Sequence, residues 1–256
     1  MVSGVAVSSL PAAFRLDRRR ALVTGGDAGI GAAIARTLSA AGARVAVGCL
    51  SGAEAAVSAL GSGAIGIEAD LGDRAALERL LATVEDKFGG LDILVLNAAV
   101  QVRAAWESLQ PADVDRQIAV NLTATLRLTA TFLPGMRDRG WGRLLAIGSV
   151  QQAKPHPDMP VYGALKAAQE HLVRNLARQL APHGVTCNVL APGVIDTPRS
   201  RPVLADPALH ARVLAGIPAA RIGLPEDCAG TALLLCSDAG AYITGATVPV
   251  DGGMSC

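Results

Sequence analysis

Two side chains of this 256-residue sequence can exchange a proton if the fold brings them together, and their spacing says that it does. Tyr162 and Lys166 are four residues apart, which in a helix puts both on one face with neighbouring tips. A free tyrosine titrates near ~10, too high for a donor and acceptor at neutral pH. A lysine ammonium beside it favours the phenolate and lowers that pKa, so the pair suits general acid–base work. The Y-x-x-x-K spacing alone is common on plain helix surfaces, and Ser149 changes its weight. It closes an apolar run in I-G-S, thirteen residues before Tyr162. A serine beyond the carboxyl end of a strand can donate to a substrate oxygen as charge develops there. Asn121, in V-N-L within a helical pattern, is a mediocre helix former and a candidate to bend the helix and hold a water.

The elements that must position these residues alternate along the chain. Short β-branched or apolar runs at 20–24, 44–47, 64–68, 91–96, 143–147, 185–190 and 246–250 read as strands. Between them lie helical patterns. Ile30, Ile34 and Leu38 recur at helical spacing and stop at Gly42; 53–60 is Ala-rich; Asp73 opens a helix that Gly89 and Gly90 close; a long helical stretch follows Pro111. Further helices are read at 162–180, 208–214 and 226–235. Seven strands separated by helices predict a Rossmann-type doubly wound α/β fold, a seven-stranded parallel sheet covered on both faces. Residues 1–16 read as a flexible arm and 17–256 as one catalytic domain. The proline-rich stretch 196–224 is long for a loop in such a domain, which points to a substrate-binding lid.

After the first strand comes T-G-G-D-A-G-I-G, with Gly25, Gly29 and Gly31 spaced G-x-x-x-G-x-G. Glycines let the backbone turn tightly and approach a pyrophosphate, and the following helix offers free N–H groups. The position between first strand and first helix suits a dinucleotide. No Gly-Lys-Ser/Thr follows, which disfavours a nucleoside triphosphate site.

Composition excludes other classes. The sequence carries 23 basic and 22 acidic side chains, a net charge of +1, and 3% aromatics, which argues against a nucleic-acid or anionic-membrane partner. Five scattered cysteines without C-x-x-C pairing fit a reducing compartment rather than a disulfide framework. The histidines form no metal-binding pattern, so no metal is expected. No apolar run reaches membrane-spanning length, and a cytoplasmic enzyme is expected.

Taken in order, these motifs resemble the short-chain dehydrogenase/reductase family in its compact form. The match runs from about residue 20 to 253. It includes the glycine string, Asp70-Leu71, Leu96-Asn97-Ala98-Ala99, Asn121, Ser149, Y-G-A-L-K, Pro192-Gly193 and Asp251-Gly252-Gly253. The resemblance implies an NAD(P)-dependent enzyme that interconverts a secondary alcohol and a ketone. Tyr162 would be its acid–base, Ser149 would hold the carbonyl oxygen, Lys166 would lower the tyrosine pKa and hold the nicotinamide ribose, and Asn121 would anchor a proton-relaying water. For the cofactor it implies Gly25, Asp27, Gly29, Ile30 and Gly31 at the pyrophosphate, and Cys49 where relatives bind the ribose hydroxyls. Asp70 and Leu71 would lie by adenine, and Asn97 and Ala98 by the adenosine ribose. Pro192, Gly193, Ile195 and Thr197 would lie near the nicotinamide, with Ile195 and Thr197 on its carboxamide. It also implies a homotetramer or homodimer. One departure is Ala99, where the family's usual N-N-A-G has glycine.

NAD and NADP both remain open. The family's NADP-preferring members carry a basic residue at the position of Ala28 or Leu50, and neither is basic here; Asp27 would repel a 2′-phosphate, so the reading leans to NAD(H). Gln151 and His156 after Ser149, with Arg199 in the lid, suit a sugar, polyol or sugar acid. Rival readings are an apolar ketone or 3-oxoacyl thioester, and a non-catalytic dinucleotide-binding sensor.

Overall fold

The computed structural model describes residues 10–256. Strands β1 (Arg20–Thr24), β2 (Arg44–Cys49), β3 (Ile65–Glu68), β4 (Ile93–Leu96), β5 (Gly142–Ile147), β6 (Val185–Pro192) and β7 (Thr247–Val250) form one sheet. Its order is β3-β2-β1-β4-β5-β6-β7, and every pairing is parallel. The helices are α1 (Gly29–Ala40), α2 (Ala53–Ser58), α3 (Arg74–Phe88), α4 (Pro111–Ile118), α5 (Ala124–Asp138), α6 (Pro160–Leu180), α7 (Arg201–Leu204), α8 (Pro207–Ala215) and α9 (Pro225–Cys236). This is the expected doubly wound α/β arrangement. None of these helices is long and apolar enough to cross a membrane.

Strand residues alternate between the two sides of the sheet. Leu22, Leu94 and Leu144 join a core with Leu80 of α3, Leu128 of α5 and Val173 of α6. Val23, Val95 and Leu145 join the opposite core with Ile34 and Leu38 of α1 and Cys228 and Leu235 of α9. Burying each Leu, Ile or Val stabilises by roughly 1.5–3 kcal/mol relative to exposure, and both sheet faces are apolar for that reason. The chain leaves β1 toward β2 and β3, then returns to set β4 on the other side of β1. That reversal opens a crevice above the carboxyl ends of β1 and β4.

Several boundaries differ from expectation. Residues 1–9 of the expected arm lie outside the described residues. Beyond them, Leu10 packs on the core, Leu16 is 1% exposed, and the Leu16 N–H donates to the Ala41 carbonyl at 2.7 Å, with Pro11 to Ala13 exposed between them. The long helix after Pro111 is interrupted by a π-helical turn, Ala119–Thr123, with Asn121 at its centre. Strand β6 runs on to Pro192, and β2 to Cys49. The stretch 196–224 holds α7 as well as the expected α8, because Pro202 sits in the first turn of α7, where its missing N–H costs nothing. The two ends of that stretch are pinned: Asp196 N–H donates to Gly223 O at 2.8 Å, and Gly223 N–H to Val194 O at 3.0 Å.

Candidate active site

A cleft of about 870 Å³ sits over the crevice. Its wall includes every one of the expected site residues except Asn121 and Gly31, which lie just behind it. Gly25 and Gly29 have φ of +62° and +52°, the left-handed region that suits glycine. A Cβ on Gly31 would stand 2.1 Å from the Gly25 carbonyl oxygen and 2.4 Å from Asn97 Nδ2, so no side chain fits there. The loop is therefore a backbone cradle of the kind a pyrophosphate needs.

The Asn97 amide braces this loop. Its Nδ2 donates to the carbonyls of Thr24 and Gly25, both at 2.9 Å, and its own N–H donates to Thr24 Oγ1 at 3.0 Å. Asn97 lines the cleft, and both donors of its side-chain amide are spent on the loop. Ala99 is accommodated: among described non-glycine residues only Arg18 and Ala220 have left-handed φ, so nothing at Ala99 demands glycine. Asp70 forms an ion pair with Arg116 of α4 at 2.8 Å, which holds its carboxyl below the ordinary aspartate range. Cys49 is 4% exposed, and burial pushes its thiol up to about 11.

Ser149 starts a short 3-10 turn, Val150–Gln152. Its Oγ accepts from the Gln151 N–H at 3.2 Å, and its N–H donates to Gln152 Oε1 at 3.1 Å. Gln152 is held in turn by Glu170 of α6 at 2.7 Å. Tyr162 lies in the first turn of α6, and burial holds its hydroxyl above the ordinary tyrosine range, against the pull of Arg199 and Ser149. Lys166 is 2% exposed; its Nζ donates to the Ile147 carbonyl at 2.6 Å and to Gln169 Oε1 at 3.1 Å, and lies 5.7 Å from the Tyr162 ring centre. Burial, then Arg199, lowers its pKa to about 7. Arg199 is the charge that pulls the Tyr162 hydroxyl down, while Lys166 Nζ is bonded to the Ile147 carbonyl and Gln169 Oε1.

Asn121 is 1% exposed and bonded reciprocally to one residue: Nδ2 donates to Val100 O at 2.7 Å, and Val100 N–H donates to its Oδ1 at 2.8 Å. It bends the helix as expected, but both ends of its amide are taken, so a water would have only its main chain to bind. Gln151 Oε1 is buried without a partner. Arg199 donates to Ala99 O at 2.6 Å, and neither it nor Arg212 of α8 is ion-paired among the described residues. His156 stands at the rim beside Arg103 and Asp158, themselves paired at 3.3 Å. Sequence reading missed Arg103, Arg116, Arg212 and Gln169. Their types were visible, but only the packing of distant elements aims the three arginines at the cleft and sets Gln169 behind Lys166. Among the described residues, no three His, Cys, Asp or Glu side chains gather to hold a metal.

Comparison with known proteins agrees with this geometry. Residues 25–255 match the family described as Enoyl-(Acyl carrier protein) reductase. The chain is 40% identical to dehydrogenase/reductase SDR family member 4 of Bos taurus, over 93% of this chain and 88% of that one. A structure described as an NAD(P)-dependent gluconate 5-dehydrogenase from Beutenbergia cavernae, with NADP bound, superposes with a TM-score of 0.89 at 34% identity, covering 95% and 99% of the two chains. A 3-oxoacyl (acyl-carrier-protein) reductase from Agrobacterium tumefaciens, also with NADP bound, gives 0.88 at 37%, covering 94% and 96%. The NADP in these neighbours gives the lean to NAD(H) no support. Fold, motifs and relatives agree that the chain belongs to the short-chain dehydrogenase/reductase family, and that it is an NAD(P)-dependent oxidoreductase of that class.

Proposed function

We propose that this enzyme interconverts a secondary alcohol and a ketone on an anionic, hydroxylated substrate of the sugar-acid type. The observation that carries the substrate class is an unmatched set of polar groups on one wall. Gln151 Oε1 is a buried acceptor with no donor, and Arg199 and Arg212 are cations with no carboxylate among the described residues. A buried acceptor left unpaired costs about 1–3 kcal/mol, so a substrate hydroxyl that donates to it is favoured, and a carboxylate suits the guanidinium groups.

In the reduction direction the carbonyl oxygen rests between the Ser149 and Tyr162 hydroxyls. Tyr162 gives its proton to that oxygen, and Ser149 donates a hydrogen bond that strengthens as charge develops. Bound nicotinamide supplies or receives the hydride. Gly25, Gly29 and Gly31, with Asp27 and Ile30, would carry its pyrophosphate; Cys49, Asp70, Leu71, Asn97 and Ala98 would line the adenosine end. Lys166, Pro192, Gly193, Ile195 and Thr197 would line the nicotinamide end, and residues 196–224 would close over the substrate. Arg199 sits where it both meets a carboxylate and eases phenolate formation on Tyr162.

A second reading, reduction of a 3-oxoacyl thioester, rests on the apolar side of the lid: Val203, Leu204, Leu209 and Val213 line the same cleft. Nicotinamide absorbance with keto-acids, keto-sugars and 3-oxoacyl thioesters separates the two, run with NADH and NADPH side by side. Turnover of hydroxy or keto acids that falls by roughly 10²- to 10⁴-fold in Tyr162→Phe is the expected result. Preference for long acyl thioesters would replace the first reading with the second. Tight cofactor binding with no turnover at all would favour the sensor.

A further inference from the structure

The mechanism so far leaves a buried polar chain behind Lys166 unused. Lys166, Gln169, Thr125 and Asn121 are each at most 3% exposed. Lys166 Nζ donates to Gln169 Oε1 at 3.1 Å; Gln169 Nε2 donates to Thr125 Oγ1 at 3.0 Å; Thr125 Oγ1 donates to the Asn121 carbonyl at 3.1 Å. The direction of the chain follows from counting hydrogens. A threonine hydroxyl has one, and here the Asn121 carbonyl takes it, so Thr125 can only accept from Gln169. The Gln169 end facing Thr125 must then be its NH2, and the end facing Lys166 must be its oxygen.

We propose that Gln169 is a positioning residue that holds the Lys166 ammonium in place and in its charged form, with its amide polarity set by Thr125. An amide arranged this way accepts from the ammonium but passes no proton onward, so the chain is a holder and not a wire. Lys166 then exchanges its proton on the cleft side. The groups facing it support this. Tyr162 on its own helix and Arg199 on the segment after β6 are the titratable and charged ones. Strand β5 offers the Ile147 carbonyl, and the π turn and α5 offer the neutral Asn121 and Thr125. No carboxylate is bonded to Lys166 among the described residues, so its charge depends on the two neutral acceptors, Ile147 O and Gln169 Oε1. The role in catalysis rests on the function proposed above; the hold on Lys166 does not.

The sequence contains only three lysines, Lys87, Lys154 and Lys166, so ¹³C-lysine NMR resolves Lys166 directly, assigned as the signal lost in Lys166→Met. In the cofactor-free protein it titrates near 7. Gln169→Leu is expected to lower that midpoint by about one unit, because a hydrogen bond to the charged form is lost. Gln169→Glu is expected to raise it, and Thr125→Val to lower it by less than Gln169→Leu. In oxidation assays the acidic limb of kcat/KM moves to higher pH in Gln169→Leu, since a less charged Lys166 favours the Tyr162 phenolate less. Gln169→Glu, with Lys166 more fully charged, does not move the limb to higher pH. A packing defect alone would lower Tm without moving the Lys166 midpoint. An unmoved midpoint in a folded Gln169→Leu protein overturns the proposal. If the unaltered enzyme turns over nothing, the proposed function fails while the titration still decides this inference.

Discussion

The two walls of the cleft are built on opposite principles. The glycine-loop wall is finished. Its shape comes from backbone, and its side chains are spent on backbone: Asn97 on Thr24 and Gly25, Thr24 on Val95, Asn121 on Val100. The opposite wall is unfinished. Gln151 Oε1 has no partner, Arg199 and Arg212 have no counter-ion among the described residues, and apolar residues of α7 and α8 face the same space. A wall whose polar groups are already satisfied can hold one fixed ligand with little reorganisation. A wall with unpaired groups selects a ligand by what it lacks. Under the proposed function, the first wall suits the cofactor and the second suits substrate choice.

The contrast can be broken most forcefully at Gly31. Gly31→Ala puts a Cβ against the Gly25 carbonyl. It is expected to weaken cofactor binding by roughly 10- to 100-fold, the equivalent of about 1–3 kcal/mol of overpacking, read by fluorescence titration. On the other wall, Arg199→Leu should lower kcat/KM for keto-acids by about 10-fold or more, since a hydrogen bond to a charged group is worth ~1.5–3 kcal/mol. Neutral ketones should lose only the share that passes through Tyr162, and so less than keto-acids; equal losses for both would remove Arg199 from substrate selection.

A paired substitution sharpens the comparison further. Asn97→Leu strips donors from two carbonyls and is expected to destabilise by about 1–3 kcal/mol. Gln151→Leu breaks no side-chain hydrogen bond within the protein and removes an unpaired buried acceptor, so its stability should hold or rise, while turnover of hydroxylated substrates falls. Urea unfolding of both variants measures this, and a large loss for Gln151→Leu would mean that its oxygen has a structural partner after all. The smallest effect concerns pH. Lys166 is lowered in the fold from 10.5 to about 7, so between those values the unfolded chain binds the extra proton. Its contribution to stability therefore rises with pH across that window, and the penalty for burying the charge is largest below it. Lys166→Met removes this slope. The Tm difference between variant and unaltered protein, largest at about pH 6, is expected to shrink by several degrees toward pH 9.

Much of this was legible in residue order, because the signals are local. Alternating apolar strands and helical repeats fix a covered parallel sheet, glycine at 25, 29 and 31 fixes a backbone turn, and four-residue spacing fixes Tyr162 and Lys166 on one face of α6. What lay outside the sequence is whatever depends on two distant elements meeting. The π turn at Asn121 is set by a reciprocal pairing with Val100, twenty-one residues away. The docking of Leu16 needs the Ala41 carbonyl at the end of α1. Whether Lys166 or Arg199 acts on Tyr162 is a matter of distance and desolvation, which spacing along a helix does not encode. The sequence determined which chemistry the chain carries. Tertiary packing decided how that chemistry is charged and held, because pKa, burial and the pairing of buried polar groups are set by neighbours in space.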